Sequence, residues 1–148
     1  MLGLGPLRQG SAVIAYVVIT LLGVGALKWF AAVVGFVPLE TFALRAQPEL
    51  MLFFIPLSVL QEVAYRAFLM ERLRTISSMR SVRVLINAVL FTLLHAIYPL
   101  PLIGLPLAFV GGIVFAYLYD RYPSIVLICL SHAVLNFVAV SLGFFTLR

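Results

Sequence analysis

Long apolar stretches, separated by short polar or proline-containing stretches, dominate the pattern of the chain. The stretches are too long for transmembrane β-strands, and their apolar residues do not alternate with polar ones. At about 20 residues for each crossing of a bilayer, the chain has room for about five transmembrane helices. The pattern therefore predicts an all-α fold, a bundle of transmembrane helices. The predicted spans cover residues 11–37, 49–70, 82–98, 102–119 and 124–145.

The composition points to the same class of protein. The 148 residues are 64% hydrophobic and only 10% charged, whereas soluble domains carry about 25% charged residues. This polar surface is too small to cover a globule in water, and the chain is too hydrophobic to be disordered. We expect a single transmembrane domain over residues 1–148, with the first apolar stretch retained as an anchor rather than cleaved as a signal peptide.

The basic residues predict the orientation in the membrane. Arg72, Arg74, Arg80 and Arg83 lie between the second and third spans, against a single Glu71. By the positive-inside rule this loop is cytoplasmic, which places the N-terminus inside and the C-terminus outside. We expect a multi-pass protein of a prokaryotic cytoplasmic membrane. The net charge of +5 fits contact with anionic lipid and gives no reason to expect a nucleic-acid partner.

Few polar side chains lie inside the predicted spans, where a charge costs about 2.5–3.5 kcal/mol at the bilayer centre. The second span carries Gln61, Glu62 and Arg66, the third carries Asn87 and His95, and the fifth carries His132 and Asn136. Residues four apart share one face of a helix, so each span has one narrow polar face. Glu62, His95 and His132 lie roughly 14–18 Å from the inner ends of their spans. We therefore expect the three polar faces to meet near the midplane.

Two chemistries fit a carboxylate and two histidines in an apolar cavity. One is a zinc site formed by Glu62, His95 and His132 with an open position. The other is hydrolysis without a metal, in which a carboxylate and a histidine activate water and other polar groups bind the oxyanion. Asn136 is an uncommon metal ligand but a suitable oxyanion donor, and this favours hydrolysis without a cofactor.

Three segments resemble the motifs of the CPBP family of intramembrane proteases, which includes the CAAX prenyl endopeptidases. They are Q-E-V-A-Y-R at 61–66, F-T-L-L-H at 91–95 and H-A-V-L-N at 132–136. The family patterns are E-E-x-x-x-R, F-x-x-x-H and H-x-x-x-N. The resemblance covers roughly residues 49 to 145. It implies an endopeptidase that cleaves near the end of a membrane-anchored polypeptide.

The resemblance also implies a role for each matching residue. The carboxylate of the first motif would activate water together with His95. His132 and Asn136 would form the oxyanion site, Arg66 would hold the second glutamate in place, and Phe91 would support the site.

One position departs from the family pattern. Gln61 stands where the family has its first glutamate, the favoured general base, and an amide has no useful basicity. Either Glu62 has taken over this role, or the chain is an inactive member, or the sequence carries a deliberate Glu→Gln change. A non-catalytic peptide-binding, immunity or scaffold protein is therefore an alternative function. A small transporter component that uses the polar faces as an ion path is a further one.

Overall fold

The computed structural model describes residues 10–35, 48–97, 101–142 and 144. Across these residues the fold is all-helical, as predicted. The α-helices are α1 (Gly10–Val34), α2 (Pro48–Glu62), α3 (Met70–Ile76), α4 (Arg80–Leu94), α5 (Pro101–Arg121) and α6 (Ile125–Ser141). A π-helical stretch, Val63–Leu69, joins α2 to α3 without a break, and a 3₁₀ turn, His95–Ile97, follows α4. We refer to Val63–Leu69 as the π-segment.

The helices lie where the apolar stretches predicted them, but their ends differ. The second helical stretch continues beyond the predicted end at residue 70 as far as Ile76. Part of the charged stretch expected to be a loop is therefore helical, which leaves only a short connection before Arg80. Residues 36, 37, 98, 143 and 145 of the predicted spans lie outside the described residues.

The distribution of side chains is the reverse of that in a water-soluble protein. Large apolar side chains face outwards on every described α-helix, with Leu21 of α1 and Leu130 of α6 among the most exposed. Several polar side chains are completely buried, including those of Glu62, Arg66 and Asn87. Among the described helices, α1 alone is long and apolar enough to cross a membrane by length and composition, and α6 is a shorter apolar helix. The fold is that of a helical membrane protein.

One helix pair, and one helix with two neighbours, organise the bundle. α4 and α5 pack along each other, and Gly112 allows their close approach. A Cβ at this glycine would lie 3.2 Å from the Cα of Ala88 and 3.3 Å from the Phe91 ring. α1 and α2 both pack along α6. α6 therefore links the first helix to the helix that carries the first polar motif.

A cluster of charges closes one end of the bundle. Arg74, Arg80 and Arg83 all contact the Asp120 carboxylate, at 3.3, 2.8 and 3.0 Å. Burial by itself would raise the pKa of Asp120, but the hydrogen bonds from the three arginines lower it below its ordinary value. Three of the four arginines that predicted topology therefore also tie α3 and α4 to α5.

Candidate active site

The polar residues of the second predicted span lie at a change of helix type. α2 ends at Glu62, and the π-segment begins at the next residue. Its wider turn is visible where the Met70 amide donates to the Tyr65 carbonyl, five residues earlier. Short π-helical turns are rare and often occur at functional sites. Here the turn contains Arg66, whose side chain is completely buried.

Asn87 of α4 fastens the π-segment to the neighbouring helix. Its Nδ2 donates to the Tyr65 carbonyl at 2.6 Å. In the other direction, the Tyr65 hydroxyl donates to the Leu90 carbonyl at 3.2 Å. Buried backbone groups need hydrogen-bond partners, so these two bonds stabilise the contact between the π-segment and α4. The sequence placed Asn87 on a polar face, but nothing in it indicated a backbone partner.

The Glu62 carboxylate joins two other buried side chains. Its Oε1 lies 2.6 Å from Nδ1 of His132, and its Oε2 lies 3.2 Å from Nε of Arg66. The pair with Arg66 is the one that the four-residue spacing indicated. The bond to His132 was not anticipated, because the resemblance assigned His132 to the oxyanion site. It brings the polar faces of the second and fifth spans together.

Phe91 occupies the centre of the site. The Arg66 guanidinium lies over its ring, with Cζ 4.3 Å from the ring centroid, close enough for a cation–π interaction. The rings of His95 and His132 lie 4.5 and 5.8 Å from it, centroid to centroid. Among the described residues, none of the three guanidinium nitrogens of Arg66 makes a hydrogen bond, so the ion pair with Glu62 and the stacking on Phe91 are the main contacts of the guanidinium. Phe91 therefore holds the residues of all three motifs in register.

The hydrogen bonds of the two histidines define their tautomers. Nδ1 of His95 lies 2.9 Å from the Phe91 carbonyl. A carbonyl only accepts, so Nδ1 carries the proton and Nε2 of the neutral ring carries the lone pair. The Glu62 carboxylate likewise accepts the Nδ1 proton of His132, in either protonation state of that ring. In both rings the hydrogen bond that orients the imidazole is thus made by Nδ1.

A serine that sequence reasoning missed also belongs to the site. Nδ2 of Asn136 donates to Oγ of Ser58 at 2.9 Å, and Ser58 is completely buried. Ser58 lies one helical turn before Glu62, just as Asn136 lies one turn after His132. Two parallel hydrogen bonds, a turn apart, therefore join α2 to α6. The four-residue spacing to Glu62 is the signal that could have identified Ser58.

An apolar cavity of about 530 Å³ adjoins this network. Most of its lining consists of apolar residues of α1, α5 and α6. Within the described part of the chain, the polar lining residues are His95, His132 and Asn136. Gln61 is buried next to Glu62 in the sequence, and neither of these two side chains is among the residues that line the cavity. The described structure thus exposes the second and third motifs to the cavity and keeps the first motif behind them.

Glu62, His95 and His132, the three residues of the possible zinc site, are not arranged as the ligands of one metal ion. No group of three His, Cys, Asp or Glu side chains within the described residues is placed to hold a metal ion. Glu62 instead directs its two oxygens to Arg66 and His132. A carboxylate that binds an arginine and a histidine in this way orients the histidine ring.

Fold and site together define a helical membrane protein with a buried Glu–Arg–His network at the end of an apolar cavity. The family model described as type II CAAX prenyl endopeptidase Rce1-like matches residues 41–138, well over half of the chain. The chain belongs to this protease family, and the resemblance found in the three motifs is confirmed. Comparison with curated proteins and with solved structures found no match.

Proposed function

We propose that this protein is an intramembrane endopeptidase that hydrolyses a peptide bond near the end of a membrane-anchored polypeptide. Membership of a protease family supports the reaction class. The observation that carries the proposal is the position of His95, His132 and Asn136 on the wall of one apolar cavity. A peptide bond in that cavity would meet a base and oxyanion donors in surroundings that exclude bulk water.

His95 is the proposed general base of this chain. Nε2 carries the lone pair because Nδ1 donates to the Phe91 carbonyl, so Nε2 can take a proton from a water molecule in the cavity. The resulting hydroxide attacks the carbonyl carbon of the peptide bond. The proton then passes to the amide nitrogen as the C–N bond breaks, which returns His95 to its neutral form.

His132 and Asn136 form the proposed oxyanion site. In its imidazolium form, His132 donates from Nε2 to the developing oxyanion, whose negative charge balances that of the ring, and the Glu62 carboxylate accepts from Nδ1. The amide of Asn136 supplies the second donor, and its bond to Ser58 sets its position. Glu62 is then a positioning residue, since its oxygens already bind Arg66 and His132.

Gln61 makes this a weak form of the enzyme in our proposal. The family has a glutamate here, and the neighbouring Glu62 is committed to two buried partners. The same observation favours a second candidate function, a non-catalytic member that binds a membrane peptide without cleaving it. The two candidates differ only in whether bond cleavage occurs after binding.

The test is to compare the chain as it stands with Gln61→Glu and with Gln61→Met. Each is reconstituted in vesicles with Leu/Ala-rich transmembrane peptides of varied C-terminal sequence, and products are identified by mass spectrometry. A positioned general base contributes about 10²–10⁴-fold, so we expect a gain of that order with Gln61→Glu and none with Gln61→Met. His95→Ala in the Gln61→Glu background should abolish cleavage. If Gln61→Glu binds the peptides but never cleaves them, the non-catalytic function replaces the enzymatic one.

The proposed reaction needs no metal cofactor. Cleavage by the Gln61→Glu form should therefore be unchanged by EDTA or by 1,10-phenanthroline. Inhibition by either chelator that added zinc reverses would show instead that Glu62, His95 and His132 rearrange around a metal ion.

The proposed topology places the N-terminus and the arginine-rich connection on the cytoplasmic side. The hydroxyl of Tyr16, near the start of α1, donates to the Tyr122 carbonyl at 3.0 Å. Asp120, two residues away, binds the arginines of α3 and α4. The start of α1, the connection between α3 and α4 and the connection between α5 and α6 thus share one end of the bundle. This arrangement is in keeping with a five-span protein whose N-terminus is inside. Labelling of single cysteines from either side of the membrane tests this orientation.

A further inference from the structure

α1 forms one wall of the cavity although it lies outside the part of the chain that matches the family. The match begins at residue 41, and α1 ends at Val34. α1 nevertheless contributes residues between positions 19 and 30 to the cavity lining, among them Ile19, Gly23 and Trp29. One wall of the cavity is therefore built by a helix outside the matched residues.

α1 packs mainly along α6, and near its start Tyr16 also bonds the Tyr122 carbonyl just after α5. Thr20 donates to Oγ of Ser131 on α6 at 2.8 Å. Gly23 packs so closely on Leu135 of the same helix that a Cβ would lie 3.0 Å from its Cδ2. Within the described residues, α1 has no comparable packing against α5, the helix that faces it across the cavity. The cavity thus extends into a gap between α1 and α5.

The edges of this gap lie at the surface of the bundle. Trp29 of α1 and Val110 of α5 both line the cavity, yet 68% and 60% of their surfaces are exposed. Exposed apolar side chains on this bundle face lipid. The gap therefore opens sideways into the hydrocarbon region and leads inwards to His95 and His132.

The lining restricts what can occupy the cavity. The lining residues that the structure describes include no lysine, arginine, aspartate or glutamate, and burial of an uncompensated charge costs several kcal/mol. The polar groups among these described residues are the two histidines and Asn136. An occupant that satisfies both conditions has apolar side chains and a backbone amide group that the polar residues can bind. A stretch of apolar polypeptide fits this description, whereas a lipid acyl chain offers nothing to the polar groups.

We propose that the gap between α1 and α5 is a lateral entrance through which an uncharged, apolar stretch of a membrane-embedded polypeptide reaches His95, His132 and Asn136. The inference rests on the proposed function for the cleavage step, but the binding step stands by itself. Gly111 sets the room inside the entrance. It lines the cavity, and a Cβ at this position would meet nothing within 4 Å.

A matched pair of glycine substitutions tests the entrance. Gly111→Phe places a ring in the cavity. Gly25→Phe places the same ring on an exposed position of α1. A Cβ at Gly25 also meets nothing within 4 Å, and Gly25 is not among the residues that line the cavity. Gly111→Ala is a milder variant that adds one methyl group to the cavity. All three retain the residues of the proposed active site.

Trp29 provides the readout because it is the single tryptophan of the chain and lies on the edge of the entrance. The probe is a Leu/Ala transmembrane peptide with one bromophenylalanine, added to the protein in phosphatidylcholine vesicles. Bromine quenches only at short range, so a peptide in the entrance should quench Trp29. We expect quenching in the unchanged protein and in Gly25→Phe, partial quenching in Gly111→Ala, and none in Gly111→Phe. A central lysine in the peptide should weaken binding by more than about tenfold, a difference of about 1.4 kcal/mol.

The outcomes separate this inference from the proposed function. Quenching needs no cleavage, so the chain can be used with Gln61 in place. Equal quenching in Gly111→Phe and Gly25→Phe would overturn the entrance, as would equal binding of the lysine-containing peptide. The remaining comparison replaces the peptide with brominated lipid. If brominated lipid quenches Trp29 in the unchanged protein but not in Gly111→Phe, the occupant of the entrance is an acyl chain rather than a polypeptide, and the inference is overturned. If the peptide binds as expected but Gln61→Glu does not cleave it, the entrance stands and the proposed enzymatic function fails.

Discussion

The Glu62→Gln substitution tests the buried network most directly. Glu62 lies 3.2 Å from the Arg66 guanidinium and 2.6 Å from the His132 ring, and the side chains of Glu62 and Arg66 are both completely buried. The substitution keeps the size and shape of the side chain but removes its charge. Arg66 then remains buried with a positive charge that no described carboxylate compensates.

The expected loss is large because of this burial. An exposed ion pair contributes only about 0–1 kcal/mol, whereas removal of one partner of a buried pair costs about 3–5 kcal/mol. The stacking of Arg66 on Phe91 persists in the variant, but it does not replace the carboxylate. We therefore expect the free energy of unfolding to fall by about 3–5 kcal/mol. A typical domain has a free energy of unfolding of about 5–15 kcal/mol, so this loss is a large part of it.

Equilibrium unfolding in mixed detergent micelles measures this loss, and a double variant identifies its cause. Glu62→Gln combined with Arg66→Met removes both charges, and an apolar replacement of a buried ion pair is often neutral. The double variant should therefore recover at least half of the lost stability. Two results would refute the reasoning that Glu62 and Arg66 form a buried, interdependent pair. One is a fall of less than about 1 kcal/mol in the free energy of unfolding of Glu62→Gln alone. The other is a double variant that is less stable than Glu62→Gln.

Two further predictions concern the packing of the bundle and the charge cluster at its end. Gly112→Ala should lower the free energy of unfolding by about 1–3 kcal/mol relative to Gly111→Ala. Both variants gain helix propensity, but only a methyl group at 112 meets the Ala88 backbone, at 3.2 Å. Equal stabilities of the two variants in the same unfolding assay would show that α4 and α5 do not pack as described. Asp120→Asn should cost roughly 1.5–3 kcal/mol at neutral pH. The three arginines hold the pKa of Asp120 below its ordinary 3.8. The unchanged protein should therefore keep this stabilisation at higher pH and lose it only as the pH falls through the lowered pKa. A series of unfolding measurements that shows the loss near neutral pH would contradict the charge cluster.

The residues of the candidate site could be singled out in the sequence because their signals are local. A charge inside an apolar stretch is costly wherever the stretch lies, so Glu62, Arg66, His95 and His132 stood out in the sequence. The spacing of Glu62 and Arg66 also identified a pair within one helix. The three motifs then indicated the family, which the match over residues 41–138 confirms.

The partners of these residues could not be predicted in the same way. In an apolar bundle most faces of a helix have similar hydrophobicity, so the pattern does not define which face meets which neighbour. The bond from Glu62 to His132 and the one from Asn136 to Ser58 depend on how α2 and α6 are rotated against each other. The π-segment was likewise unpredictable, because its wider turn is stabilised by contacts of Asn87 on another helix.

The amino-acid pattern alone was enough to define the class of the protein: helices in a membrane, a small set of polar residues at a similar depth, and a family. These properties arise from composition and from spacing within single helices, which need no knowledge of neighbours. The arrangement of the helices was needed to show that Glu62 supports His132, that Asp120 gathers three arginines, and that α1 forms a cavity wall. Each of these depends on which helices lie side by side, and that is set by the packing of the whole bundle.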